Sequence, residues 1–193
     1  MMPEDKSPAL GGERAAPPDG ADPALSGNHA IRHMRRWLEA DDPALRYRAR
    51  SKLVALYIAR AEERSRDGDY LGALADFGAA LEINPQSIVA LGKRGVAHVQ
   101  HKRLDAALAD FSHILGLDPK HALTYYNRAY VRSRQGDLQG AIDDLTEAIH
   151  LRPRNASYYN NRAVAYTKLG QFAQALADAE RALELAPSDA LIY

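Results

Sequence analysis

Residues 122–155 read ALTYYNRAYVRSRQGDLQGAIDDLTEAIHLRPRN, and the stretch of equal length that follows, 156–189, reads ASYYNNRAVAYTKLGQFAQALADAERALELAPSD. The two align without a gap, and the register extends back towards the N-terminus. Pro85, Pro119, Pro153 and Pro187 recur at a single interval, the length of one such stretch. The same interval separates Arg60, Arg94, Arg128 and Arg162, and again Asp76, Asp110, Asp144 and Asp178. Gly68, Gly136 and Gly170 share the lattice, with Lys102 at the position where glycine is missing. Several registers at one period define a repeat protein. The units are 54–87, 88–121, 122–155 and 156–189. Each shows helical spacing on both sides of a central break. Glycine at the break permits a left-handed residue and proline stops the second helix, so each unit is predicted to be a pair of helices of about 13 residues. Lys102 is expected to cost on the order of 1 kcal/mol in that conformation, which predicts a loosened or altered turn in the second unit.

The paired combs have a geometric reading. Arg60 precedes Asp76 by the same separation as Arg94 precedes Asp110, Arg128 precedes Asp144 and Arg162 precedes Asp178. In a hairpin folded about the break these positions come opposite each other, which predicts a structural ion pair between the two helices of every unit.

Outside the repeats the composition changes. Residues 1–28 hold five of the ten prolines, with two basic and five acidic groups, net −3, and are expected to be a disordered leader. Residues 29–66 carry ten basic and five acidic groups, net +5, and residues 67–193 carry 13 and 15, net −2. Asn28 is placed to cap a helix through Ala40, with Ile31, Met34 and Leu38 on one face. Asp42 and Pro43 then form a helix start, and the pattern stays helical to Asp67. Residues 29–53 are read as basic capping helices. Ala190, Leu191, Ile192 and Tyr193 are read as the start of a truncated further helix. Leu176 and Leu183 on the preceding one would otherwise face water, so the expectation is either a chain cut short of its natural form or an end covered by another molecule, self-association included.

The chain has no cysteine, which removes disulfides, thiol nucleophiles and thiolate metal sites. Its longest apolar run, Leu53 to Ala59, is too short for a bilayer, and no secretory signal is visible, so the expectation is a cytoplasmic protein with no transmembrane segment. His98 and His101, and His29 and His33, have metal-compatible spacing without a third ligand, so no metal or other cofactor is expected. Phosphate loops and nucleophile elbows are absent, and no strongly basic face supports nucleic acid as partner. The expectation is a non-enzymatic protein.

The residue types within each unit resemble the tetratricopeptide repeats. The early aromatic is Tyr57, Tyr125 or Tyr159, with Leu91 in the second unit. The small residue four positions on is Ala61, Gly95, Ala129 or Ala163. The second helix has Ala73, Ala107, Ala141 or Ala175, then Phe77, Phe111, Leu145 or Ala179, then Ala80, Ile114, Ala148 or Ala182. The resemblance covers residues 54–189. It implies an all-α, right-handed α-solenoid of four helix-turn-helix repeats with extra N-terminal helices, whose first helices line a concave groove that binds partner proteins. Carried over position by position, the groove wall includes Arg66, Lys93, Val96, Gln100, Tyr126, Asn127, Tyr130, Arg134, Asn160, Asn161 and Lys168. Ile58, Glu62, Val89, Leu123 and Val164 fall on the same wall. Four cations against Glu62 suggest a locally cationic groove for a peptide or helix of acidic character. The clamp with which some family members hold chaperone C-termini maps to Ile58, Glu62, Lys93, Leu123 and Asn127, or one unit later to Gly92, Val96, Asn127, Ser157 and Asn161. Neither set supplies paired cations. The expected role is an interaction scaffold or adaptor; the alternative is a regulatory or docking module of a larger enzyme or secretion assembly, acting through the basic N-terminal helices.

Overall fold

The computed structural model describes residues 27–186, all of whose regular structure is helical. The leader up to residue 26, Pro187 and the further helix at 190–193 lie outside the described residues. The first segment is α1, Gly27–Arg35, running into a 3-10 turn at Arg36–Glu39. After it come α2, Pro43–Arg66, and α3, Tyr70–Ile83. Then follow α4, Ile88–Gln100, and α5, Leu104–Leu117; α6, Ala122–Gln135, and α7, Leu138–Leu151; and α8, Ala156–Lys168, and α9, Phe172–Leu185. The second helices of the four units start one full period apart, at Tyr70, Leu104, Leu138 and Phe172.

Two N-terminal details differ from the sequence reading. Asn28 lies inside α1 and its side chain accepts a hydrogen bond from Arg60 Nη1, so it is not the cap. The helix expected through Ala40 tightens into the 3-10 turn after Arg35. Asp42 is extended (φ −76°, ψ 116°), as a residue before proline prefers, and the chain narrows its last turn before that corner. Asp42 Oδ1 then accepts from the Ala44 N–H at 2.8 Å and Pro43 opens α2.

The turns between paired helices are uniform, including the one expected to be altered. Gly68, Gly136 and Gly170 have φ of 82°, 86° and 74°, and Lys102 adopts 58°. At each turn this residue's N–H donates to the carbonyl three back and the next N–H to the carbonyl five back. The bonds of the second turn, Lys102 to Val99 at 3.0 Å and Arg103 to His98 at 2.8 Å, are as short as the others. Two backbone bonds, with the Tyr70 ring stacked 3.8 Å from His101 beside them, hold Lys102 in a conformation its Cβ disfavours.

Packing follows the small residues. Ala61, Ala73, Ala80, Ala107, Ala141 and Ala148 are fully buried and let the helices approach, while Phe77, Phe111 and Leu145 fill the wedges between them. α1 closes the N-terminal end: Ile31 and Met34 join Leu53, Tyr57, Ile58, Phe77 and Ala97 in one apolar cluster.

Candidate functional site: the inner wall of the first helices

Each first helix touches the first helix of the next unit, α2 against α4, α4 against α6 and α6 against α8. One wall therefore runs along the stack, and two depressions open on it. The larger, about 730 Å³, is lined by Glu62, Arg66, Val89, Lys93, Val96, Gln100, Leu123 and Asn127 among others. The smaller, about 170 Å³, is lined by Tyr130, Ser133, Arg134, Asn161, Val164 and Lys168 together with buried residues of the third unit. Val89, Val96, Leu123, Tyr130 and Val164 are all exposed, so the wall presents an apolar strip to solvent across the second to fourth units.

The charges divide unevenly. Lys93 Nζ donates to Glu62 Oε1, so this cation is matched by the one acid on the wall. Arg66 turns back to the Glu62 carbonyl at 3.4 Å. Arg134 donates to the Tyr130 hydroxyl at 3.0 Å and lies 5.8 Å from the centre of that ring, with no carboxylate beside it among the described residues. Lys168 is exposed at the far rim. Arg134 and Lys168 at one end, and Arg66 at the other, thus have no carboxylate partner among the described residues.

The structure does not gather every expected wall residue. Tyr126 packs on Tyr158 at 5.2 Å and Asn160 is exposed, and neither lines a depression. Ile58, matched to the wall by family position, is buried within the first apolar cluster. Conversely, His121 and Thr124 line the larger depression and bond each other at 2.8 Å. They belong to the start of α6, where the periodic pattern carries no signal for a wall position.

The arginine and aspartate combs lie away from this wall, between the helices. Arg94 reaches Asp110 at 2.9 and 2.6 Å, Arg128 reaches Asp144 at 2.9 and 2.7 Å, and Arg162 reaches Asp178 at 2.7 and 2.8 Å. Arg60 Nε donates to Asp76 at 2.8 Å in the same fork. All four aspartates are buried, and the hydrogen bonds to them push each arginine above its already high ordinary value. Three of these guanidinium groups also lie over the early tyrosine of their own unit, Arg60 on Tyr57, Arg128 on Tyr125 and Arg162 on Tyr159, at 5.5–5.8 Å. A second cation joins in alternate units, Arg64 on Asp76 at 2.9 Å and Arg132 on Asp144 at 3.0 Å, and His98 occupies that place in the second unit.

Family models for the tetratricopeptide repeat match residues 156–189 and 58–122, and a TPR repeat model matches 132–170. The chain is a tetratricopeptide repeat protein. Curated protein sequences returned no significant match. Among solved structures, a crystal structure of MamA shares 21% identity at a TM-score of 0.68 over 86% of this chain and 91% of its own. MamA 41-end from Desulfovibrio magneticus RS-1 shares 22% identity at 0.64, over 84% and 87%. The first TPR of Spaghetti (RPAP3), solved with an HSP90 peptide SRMEEVD, shares 19% identity at 0.59, over 62% and 95%. At these identities the likeness is one of fold. The arginine forks recur in every unit and join helix to helix, while most residues lining the two depressions change from unit to unit. The fold is that of a protein–protein interaction scaffold. No described helix is long and apolar enough to cross a membrane.

Proposed function

We propose that this protein is an adaptor whose concave wall takes up an extended or helical segment of a partner protein, with apolar side chains towards α4 and α6 and carboxylates towards Arg134 and Lys168. The observation that carries this reading is the joint exposure of Val89, Val96, Leu123, Tyr130 and Val164 beside cations with no matching acid among the described residues. Exposed apolar strips rimmed by charge mark interaction sites. The internal Lys93–Glu62 pair leaves Arg66 as the one unmatched cation of the first half of the wall among the described residues, so acidic character is needed most at the second half, beside Arg134 and Lys168. The Asn127 and Asn161 amides, one in each depression, can both give and accept hydrogen bonds with a peptide backbone. The Spaghetti (RPAP3) structure, with its acid-rich bound peptide, is an instance of this fold holding such a ligand. The positions matched to the chaperone clamp do not hold paired cations here, so a different acidic segment is the expected ligand.

The test is affinity capture with mass spectrometry, comparing the parent chain with Arg134→Glu combined with Lys168→Glu. Loss of the captured partner is expected. A partner retained at full yield refutes the wall and favours a second reading, docking through the N-terminal helices. That reading draws on the depression of about 570 Å³ beside Arg46, Tyr47 and Arg50, where Tyr47 is largely exposed and Arg50 Nη2 holds the Ile83 carbonyl at 2.9 Å.

A further inference from the structure

The last described helix carries a face of another kind. α3, α5 and α7 are each covered by the first helix of the following unit, whereas α9 packs only on α8 among the described residues. Phe172, Leu176 and Leu183 are 68%, 61% and 50% exposed, and Ala179 is exposed between them. The lattice-equivalent residues of α7 are Leu138, Ile142, Leu145 and Ile149, of which Ile142 and Leu145 are buried. Residues 172, 176, 179 and 183 follow spacings of four, three and four, which lays them in one narrow stripe of the kind that forms a two-helix seam.

We infer that this stripe pairs with the same stripe of a second copy of the chain, the two α9 helices running antiparallel about a two-fold axis. In that register Phe172 faces Leu183 of the second copy and Leu176 faces Ala179 of the second copy, so each large residue meets a residue of the same seam. No charge lies in the seam, and the flanking Glu180 falls beside Ala173 of the second copy, not beside another acid. Arg181 is turned aside to Glu184 at 2.7 Å on its own helix. The match is isologous and closes at two subunits. If the three large side chains each give up roughly 100–150 Å², the seam buries on the order of 800 Å² in total, below the ~1,200 Å² of stable interfaces. The pairing is therefore weak and concentration-dependent. It is independent of the concave wall and leaves it open.

The experiment is sedimentation or light scattering of the full chain up to the millimolar range, with Leu176→Glu and, as a control on another exposed leucine, Leu71→Glu on α3, which is 77% exposed. Circular dichroism verifies that both variants remain folded. The mass is expected to rise towards twice the monomer in the parent and in Leu71→Glu, and to stay monomeric in Leu176→Glu. A monomer at every concentration, or a dimer untouched by Leu176→Glu, overturns the proposal. Because the chain has no cysteine, register is read separately by oxidising an equimolar mixture of Ala173→Cys and Glu180→Cys. A predominant mixed disulfide is expected, and predominant homodimers of either variant refute the antiparallel seam.

Discussion

Lys102 offers the sharpest test of how the scaffold is held. Its φ of 58° lies in the same left-handed region as the three turn glycines, and the hydrogen bonds around it match theirs. The side chain itself is exposed. An L-residue in this region costs about 1–2 kcal/mol through the clash of its Cβ with the following carbonyl. Glycine removes that clash but adds about 0.4–1 kcal/mol of chain entropy to the unfolded state. Lys102→Gly should therefore stabilise the protein by about 0.5–1 kcal/mol, a rise in Tm of about 1–4 °C for a chain of this length. Lys102→Asn should fall between, since asparagine tolerates the left-handed region better than lysine. The reciprocal change, Gly136→Lys, should lose a similar amount. A Cβ built at Gly136 meets nothing within 4 Å, so any cost there is conformational and not steric crowding. Thermal and urea melts of the three variants give the answer. If Gly136→Lys is destabilised while Lys102→Gly is unchanged or weaker, the backbone penalty is not what separates the two turns, and the reasoning fails.

Two further outcomes test the interior of the second unit. A Cβ added at Gly95 would lie 2.6 Å from Phe111 Cε1 and 2.9 Å from Cζ, so Gly95→Ala should cost about 1–3 kcal/mol by urea denaturation, and an unchanged midpoint would show that the ring has room to move. His98 is held below its ordinary value of 6.5, chiefly by burial, with Asp110 pulling the other way and Arg94 and Arg103 adding to the depression. A histidine whose folded-state value is lowered contributes stability that is present above 6.5 and lost as pH falls through the lower value, because the unfolded chain takes up the proton more readily. His98→Gln, whose amide can both donate to and accept from the Tyr70 hydroxyl, should flatten the stability profile between pH 7 and pH 5; an unaltered slope would assign the acid loss to other groups.

The stack was legible because it repeats. Four prolines and four Arg–Asp spacings need only a hairpin about a known break, and local geometry then sets 60 near 76 or 128 near 144. Contacts between units were not legible in this way, because they depend on how far each unit rotates against the last. Glu62 faces Lys93 of the next unit at a separation off the lattice, and so the matched charge within the wall was invisible. Family position places Tyr126 on the wall. The rotation brings it against Tyr158 of the next unit, and packing on an aromatic ring buries more apolar surface than facing solvent.

The arginine comb shows why such contacts escape a periodic reading. A guanidinium has five N–H donors and the aspartate fork uses two of them. The surplus reaches into the preceding unit, from Arg128 to Ser112 at 3.3 Å and from Arg162 to Thr146 at 3.0 Å, at matching lattice positions. Arg60 has no preceding unit to reach into, and Asn28 supplies the acceptor from α1, which folds back to stand where such a unit would. No arithmetic on the period finds Asn28, since the requirement is for an oxygen at a place and not for a residue at a spacing. The second unit gives the converse. Position 78 is glycine, so Arg94 has no acceptor there, and its side chain is 28% exposed against 16–18% for the other three. The joint between the first two units is bridged instead by the Tyr70 hydroxyl on His98 Nδ1 at 2.8 Å, with the same ring stacked on His101. The missing rung, the histidine pair and the left-handed lysine therefore belong to one substitution of means: where the comb lacks its oxygen, an aromatic–histidine contact does the joining, and the turn beside it is held firmly enough to accept lysine in place of glycine.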